Sequence, residues 1–279
     1  MEEKALISKY FGGIYFSYHQ CLQLDSILEE IPNEDPNYKY LLLSSLLSTA
    51  SDVVNTVGNQ FAQPIQPRKK DGSPKKNIGS SALKDRSKDV FSIYTSWISK
   101  YSQLKPSKYK HTILKSDYLD ALSDLDNTTK VVYADPPYTR DHYSRFYHVL
   151  ETICLKDFPD ISTTKINGNT DLSRALYRKE RHQSPFCIKS QAPHAFDQMF
   201  GKVANINASF VLSYSPFDDS VKSHPRVMTI DKIIELGSKY FNNIYQVCPG
   251  EFVHSKFNHA EKNFEKKTHG EILIIFKND

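Results

Sequence analysis

Past residue 110 the sequence repeatedly changes its hydrophobic period, and this rhythm restricts the fold more than any other feature. Short apolar runs at 111–115, 131–134, 209–214, 243–248 and 271–276 alternate with helical patterns at 118–125, 142–154, 194–203 and 230–241. Strand–helix–strand alternation is the signature of an α/β sheet covered by helices, so a five-stranded, mostly parallel sheet is expected. Before residue 110 the rhythm is different. Apolar side chains recur at helical spacing over 20–31, 40–57 and 89–104, and in the last of these Val90, Ile93, Tyr94, Trp97, Ile98 and Tyr101 share one face. The expected organisation is a mainly helical region over 1–110 and an α/β region over 111–279.

Two stretches carry no apolar period. Residues 60–88 hold Pro64, Pro67, Arg68, Lys69, Lys70, Gly72, Pro74, Lys75, Lys76, Lys84, Arg86 and Lys88, which is expected to be a basic loop. Such a run is either solvated or laid against phosphates. A polar insertion at about 160–192, with Arg174, Arg178, Lys179 and Arg181, admits the same two readings. The net charge of +4 permits a nucleic-acid partner without requiring one. No apolar run approaches the roughly 18 residues of a membrane span, and the start Met1-Glu2-Glu3-Lys4 is too acidic for a signal peptide. Cys21, Cys154, Cys187 and Cys248 form no Cys-x-x-Cys pair, and no His/Cys cluster has ligand spacing, so neither a metal site nor a disulfide framework is expected. A reducing, cytoplasmic location follows as an expectation.

In an open α/β sheet, ligands bind beyond the carboxyl ends of the strands. There the apolar run Val131-Val132-Tyr133-Ala134 is followed by Asp135-Pro136-Pro137-Tyr138. Two consecutive prolines fix φ and offer no N–H, which leaves a rigid turn whose carbonyls are free to accept. A carboxylate acceptor, a carbonyl acceptor and a flat ring together suit a grip on the exocyclic amino group of a base.

This tetrapeptide resembles the Asp-Pro-Pro-Tyr catalytic motif of the amino methyltransferases that modify adenine N6 in DNA. Four further blocks resemble one bacterial adenine-specific group: Tyr143-Ser144-Arg145-Phe146-Tyr147-His148-Val149-Leu150-Glu151, Tyr10-Phe11-Gly12-Gly13-Ile14-Tyr15-Phe16-Ser17, Asn55-Thr56-Val57-Gly58-Asn59, and Val211-Leu212-Ser213-Tyr214-Ser215. The resemblance implies S-adenosylmethionine as cofactor and no metal. It implies that Asp135 and the carbonyl that follows accept hydrogen bonds from N6, and that Tyr138 stacks on a flipped-out adenine. Asp117 matches an acidic contact to the cofactor's adenine; equally, it would cap the helical pattern that follows it. Arg140, His142 and Arg145 are candidates for DNA contact or for a solvated helix face, and Arg68, Lys69 and Lys70 for phosphate contact or a solvated loop.

The family ordinarily holds the methionine end of its cofactor with a glycine-rich turn, where a close backbone approach excludes side chains. The ten glycines of this chain form no Gly-x-Gly, and Phe11-Gly12-Gly13 follows no apolar strand. The family's sheet has seven strands in the order 3-2-1-4-5-7-6. If the runs that lead to Asp117 and Asp135 are the third and fourth, the first and second are missing. The expected fold is therefore an incomplete Rossmann-like class I methyltransferase sheet with five of seven strands. A second protein chain is expected to supply the glycine turn and the two central strands. Other readings are methylation of another amino group (cytosine N4, RNA adenine or a glutamine side chain), a non-catalytic DNA-recognition subunit, and a protein-interaction module.

Overall fold

The computed structural model describes residues 5–56, 58, 60–69, 71–75, 78–166, 168–215, 226–248 and 271–278. In chain order these form α1 (Leu6–Phe11), α2 (Tyr18–Glu30), α3 (Pro36–Val53), α4 (Ile78–Arg86), α5 (Val90–Ser102), α6 (Tyr118–Ser123), β1 (Val131–Ala134), α7 (Ser144–Leu155), β2 (Thr163–Ile166), β3 (Asn169–Leu172), α8 (Ala192–Asn205), β4 (Ser209–Tyr214), α9 (Ile230–Gly237), β5 (Asn243–Val247) and β6 (Ile272–Lys277). Two compact units emerge. One holds the described residues up to Lys108 together with Ser144–His182, and the other holds Tyr109–Tyr143 with the described residues from Gln183 onward. The helix after Asp-Pro-Pro-Tyr and the polar insertion as far as His182 group with the amino-terminal helices, and the remainder of the insertion groups with the sheet.

The first unit is helical because its caps and apolar faces agree. Ser17 and Gln20 form a reciprocal capping box at the start of α2, and Asp35 and Asp89 cap α3 and α5. Buried Asp25 accepts from the backbone N–H of Ile7 at 2.7 Å and of Ser8 at 2.9 Å, satisfying donors in the first turn of α1. Phe11, Tyr15, Phe16, Leu24, Leu46 and Ile153 make a fully buried core. Tyr15 Oη lies 2.7 Å from the Phe61 carbonyl and 3.0 Å from that of Ala175, donating its one proton between them, and His148 Nε2 lies 3.0 Å from the latter. Burial pushes His148 down to about 4.

In the second unit the sheet order is β1-β4-β6-β5. β1 runs parallel to β4, whereas β6 is antiparallel to both β4 and β5. The sheet is mixed, which corrects the expectation of a mostly parallel one. α8, β4, α9 and β6 enclose a second core around Phe196, Phe200, Phe210, Leu212, Ile233 and Phe276.

Two further expectations are corrected. Residues 111–115 form no strand; they run as exposed coil, with Ile113 at 95% exposure. Apolar content alone cannot hold a strand that lacks a neighbour for its backbone groups. The described sheet consequently has four strands, not five. Within the expected basic loop, 78–86 is the helix α4, whose polar composition hid its period. The polar insertion also contains the β2–β3 hairpin, turned through Gly168 at φ +84°.

Candidate active site

The parallel pairing of Ala134 with Leu212 brings the carboxyl ends of β1 and β4 to one edge of the sheet. Asp135-Pro136-Pro137-Tyr138 leaves the first end, and Tyr214-Ser215 leaves the second. Pro136 is buried, whereas Asp135 as a residue is exposed, so the turn is anchored beside an accessible acidic residue. Partial burial raises the Asp135 pKa above the ordinary carboxylate range, and the neighbouring Glu271 carboxylate adds to the effect. Glu271 itself accepts a short hydrogen bond from the Ser213 hydroxyl.

Tyr138 is held on several sides. Its carbonyl accepts from Val227 N–H at 3.0 Å, and Thr139 bridges to Arg226 in antiparallel fashion. Its ring meets the edge of Tyr214, with centroids 5.8 Å apart and planes at 67°, while the Arg226 guanidinium lies 4.6 Å from its centroid. Arg226 is fixed by a 2.5 Å hydrogen bond to Ser215 Oγ. Tyr214 Oη exchanges hydrogen bonds with the backbone of Met228, accepting from N–H at 3.2 Å and donating to O at 3.3 Å. Sequence reading found Tyr138 and the block containing Tyr214. It missed Arg226, which stands alone in its segment with no pattern around it.

Asp117 caps α6, its Oδ1 accepting from Leu119 N–H at 2.9 Å. Its carboxyl also lines an open depression of about 360 Å³ beside Tyr118, Pro185, Gln191 and Ala195. Cap and ligand contact are therefore compatible at this position, because a carboxylate has acceptor capacity beyond one bond. The depression is large enough to admit a heterocycle the size of adenine. Among the described residues no glycine-rich turn follows a strand. A side chain at Gly12 would collide with the Ser8 carbonyl and the Tyr18 ring, at 2.7 and 2.8 Å, and Gly13 adopts φ +76° beside the same ring. These glycines make room for Tyr18, and among the described residues the turn follows the helix α1.

Arg140 is exposed and His142 half-buried. Arg145 lies in the other unit, on α7. Arg68 and Lys69 are exposed on a tight turn: Lys69 N–H donates to Ser73 O at 2.8 Å, and Arg68 Nη1 donates to Gly72 O at 2.9 Å. Lys70, Lys76, Val57 and Asn59 lie outside the described residues. Among the described residues no group of three or more His, Cys, Asp or Glu is arranged to hold a metal ion. None of the helices among them is long and apolar enough to cross a membrane.

Comparison with known proteins gives a consistent outcome. The family described as D12 class N6 adenine-specific DNA methyltransferase matches residues 15–181, a segment that includes β1, Asp-Pro-Pro-Tyr and α7. Modification methylase LlaI from Lactococcus lactis subsp. lactis is 25% identical over 281 residues, covering 95% of this chain and 37% of the relative. Type II methyltransferase M.NlaIII from Neisseria lactamica is 26% identical over 196 residues, covering 66% and 47%. Type II methyltransferase M.FokI from Planomicrobium okeanokoites is 36% identical over 85 residues, covering 30% and 11%. The chain thus spans less than half the length of these relatives. No solved structure matches it significantly.

Proposed function

Because the chain belongs to the D12 class N6 adenine-specific DNA methyltransferase family, we propose that it carries the base-binding half of a DNA adenine N6-methyltransferase. The observation that carries this reading is Asp135-Pro136-Pro137-Tyr138 at the carboxyl end of β1, with an accessible acidic residue and a buttressed ring. In its ionised form Asp135 accepts a hydrogen bond from the N6 amino group of a flipped-out adenine. A second acceptor is the carbonyl of the proline turn. Two acceptors orient the amino hydrogens and leave the nitrogen lone pair directed away from them. Tyr138 stacks on the base, and Tyr214 and Arg226 hold that ring in place. When bound, S-adenosylmethionine supplies the methyl group that N6 takes up. Asp117 and the depression beside it would hold the cofactor's adenine. In this reading Arg140 and His142, and on the basic turn Arg68 and Lys69, would contact DNA phosphates.

The same reading gives the chain a polypeptide partner. Among the described residues β1 ends the sheet order, and Val131 and Tyr133 are 57% and 61% exposed on it. A strand edge carrying exposed apolar side chains favours pairing with further strands. We infer that a second chain adds the missing central strands here and brings the glycine-rich turn. One sheet would be rebuilt across an interface large and apolar enough to resemble a divided domain core.

The reading is tested on the complex recovered from the native host through a tag on this chain. Incubation with unmethylated DNA and radiolabelled S-adenosylmethionine should yield N6-methyladenine on nucleoside digestion. Asp135→Ala should abolish incorporation while changing DNA affinity only a few-fold, and Asp135→Asn should be severely impaired because its amide presents a donor to N6. Near-normal methylation by Asp135→Ala would overturn the assignment.

A further inference from the structure

Tyr177, which follows the β2–β3 hairpin, is flanked by two guanidinium groups. Arg145 of α7 lies 5.4 Å from its ring centroid and Arg181 lies 5.2 Å from it. The ring itself is fixed: its hydroxyl donates a short hydrogen bond to the Ala62 carbonyl, and His148 meets it edge-on at 5.1 Å. Arg174, from the same segment, reaches the side chain of Gln66, whose amide oxygen accepts from it in the satisfied orientation. Arg145 and Arg181 therefore share one rigid aromatic platform, and the Arg174 charge acts on the same Tyr177 side chain.

Their neighbour Arg178 shows what a structural arginine looks like on this surface. It grips Asp157 through Nη1 at 2.7 Å and Nη2 at 2.5 Å, with Glu151 at 3.9 Å from Nε. Arg145, Arg174 and Arg181 have no carboxylate partner among the described residues. Arg145 Nε and Arg181 Nη1 are shielded from solvent and meet no acceptor. Burial and the adjacent Arg145 charge both lower the Arg181 pKa. Half-buried like charges without counter-ions are unfavourable in the free chain, and an arriving anion would relieve them. The guanidinium fork matches the oxygens of a phosphodiester, and stacking on Tyr177 orients it without consuming its outer donors.

We propose that Arg145, Arg174 and Arg181, arrayed about Tyr177, form a phosphodiester-binding site that grips the DNA backbone. The inference rests on the DNA-methylating reading above and adds the surface that binds DNA outside the Asp-Pro-Pro-Tyr turn.

The test is fluorescence anisotropy of the full chain on a labelled random-sequence duplex over a range of salt concentrations. Removing one cation that neutralises a phosphate should lower the slope of log affinity against log salt by about 0.9. The double variant Arg145→Gln/Arg181→Gln should lower it by roughly 2, and Arg174→Gln by roughly 1. Lys179→Gln, whose native partner is Asp160 at 3.6 Å, should leave it unchanged. Arg145→Lys/Arg181→Lys should keep most of the slope and still lose affinity, because charge is retained and the fork is not. A folded double variant with the wild-type slope overturns the site and leaves the methylation reading intact. An equal fall with Lys179→Gln also overturns it, since that reports diffuse basicity. Should the double variant fail to fold, exposed Arg174→Gln decides: an unchanged slope overturns the proposal. A wild-type chain without salt-dependent duplex binding overturns it as well, and the methyl-transfer assay then judges the enzymatic reading separately.

Discussion

Val131, Val132, Tyr133 and Ala134 of β1 pair in parallel with Ser209, Phe210, Val211 and Leu212 of β4, yet the two strands live in different surroundings. β4 has a strand on each side, and Phe210, Leu212 and Tyr214 are fully buried. Among the described residues β1 has one neighbouring strand, and its Val131 and Tyr133 are more than half exposed. Both are apolar runs that end at the same edge of the sheet. The difference lies in neighbours, not in composition. An apolar strand at a sheet margin that leads into Asp-Pro-Pro-Tyr is the arrangement expected under the proposal that further strands pair with β1.

Truncation should separate the two strands most strongly. Leu212→Ala should cost about 2–5 kcal/mol by urea unfolding, since it opens a cavity in the second core. Val131→Ala should cost less than about 0.5 kcal/mol, as expected at an exposed site. Equal losses would mean that β1 is already covered.

A comparable effect is expected in the first unit, which has a closed core against which the open edge can be judged. His148 is held down to about 4 by burial. A histidine whose folded pKa is depressed contributes stability that is present above its unfolded pKa near 6.5 and lost as pH falls toward the folded value. Between those limits the unit should lose roughly 3 kcal/mol. His148→Gln should abolish this acid limb, and a limb that survives would place the titrating group elsewhere.

Charging the open edge should have a smaller and different effect. Val131→Lys/Tyr133→Lys should reduce self-association in light scattering while leaving the urea midpoint nearly unchanged. A clear loss of stability would show that these side chains pack against something. The smallest effect concerns Asp135, followed by carboxyl-labelled NMR titration. Its raised pKa should fall toward the ordinary range in Glu271→Gln without reaching it, because burial is the larger cause and persists. An unchanged pKa would remove Glu271 from the account.

The sequence made β1 and β4 legible to the residue, because apolar runs bounded by turn residues specify strands. The same reasoning failed at 111–115, where Ile113 and Leu114 promise a strand and exposed coil results. Strand pairing is non-local, and no local pattern reports whether a partner exists. α4 and the β2–β3 hairpin escaped notice because their faces are largely polar and exposed. At the site, Asp135 and Tyr138 were visible as a contiguous motif. The support of Tyr138 by Arg226 and the platform of Arg145 and Arg181 on Tyr177 join distant positions, and only the fold brings such residues together.

The central claim is that this chain holds the base-binding half of a methyltransferase site and needs another polypeptide for the rest. Titration calorimetry of S-adenosylmethionine into the purified single chain, with light scattering to fix its oligomeric state and a methyl-transfer assay on the same sample, tests it most directly. The account predicts weak cofactor binding, no methyl transfer and a tendency to self-associate. A monomer that binds the cofactor at micromolar strength and methylates DNA unaided would contradict it.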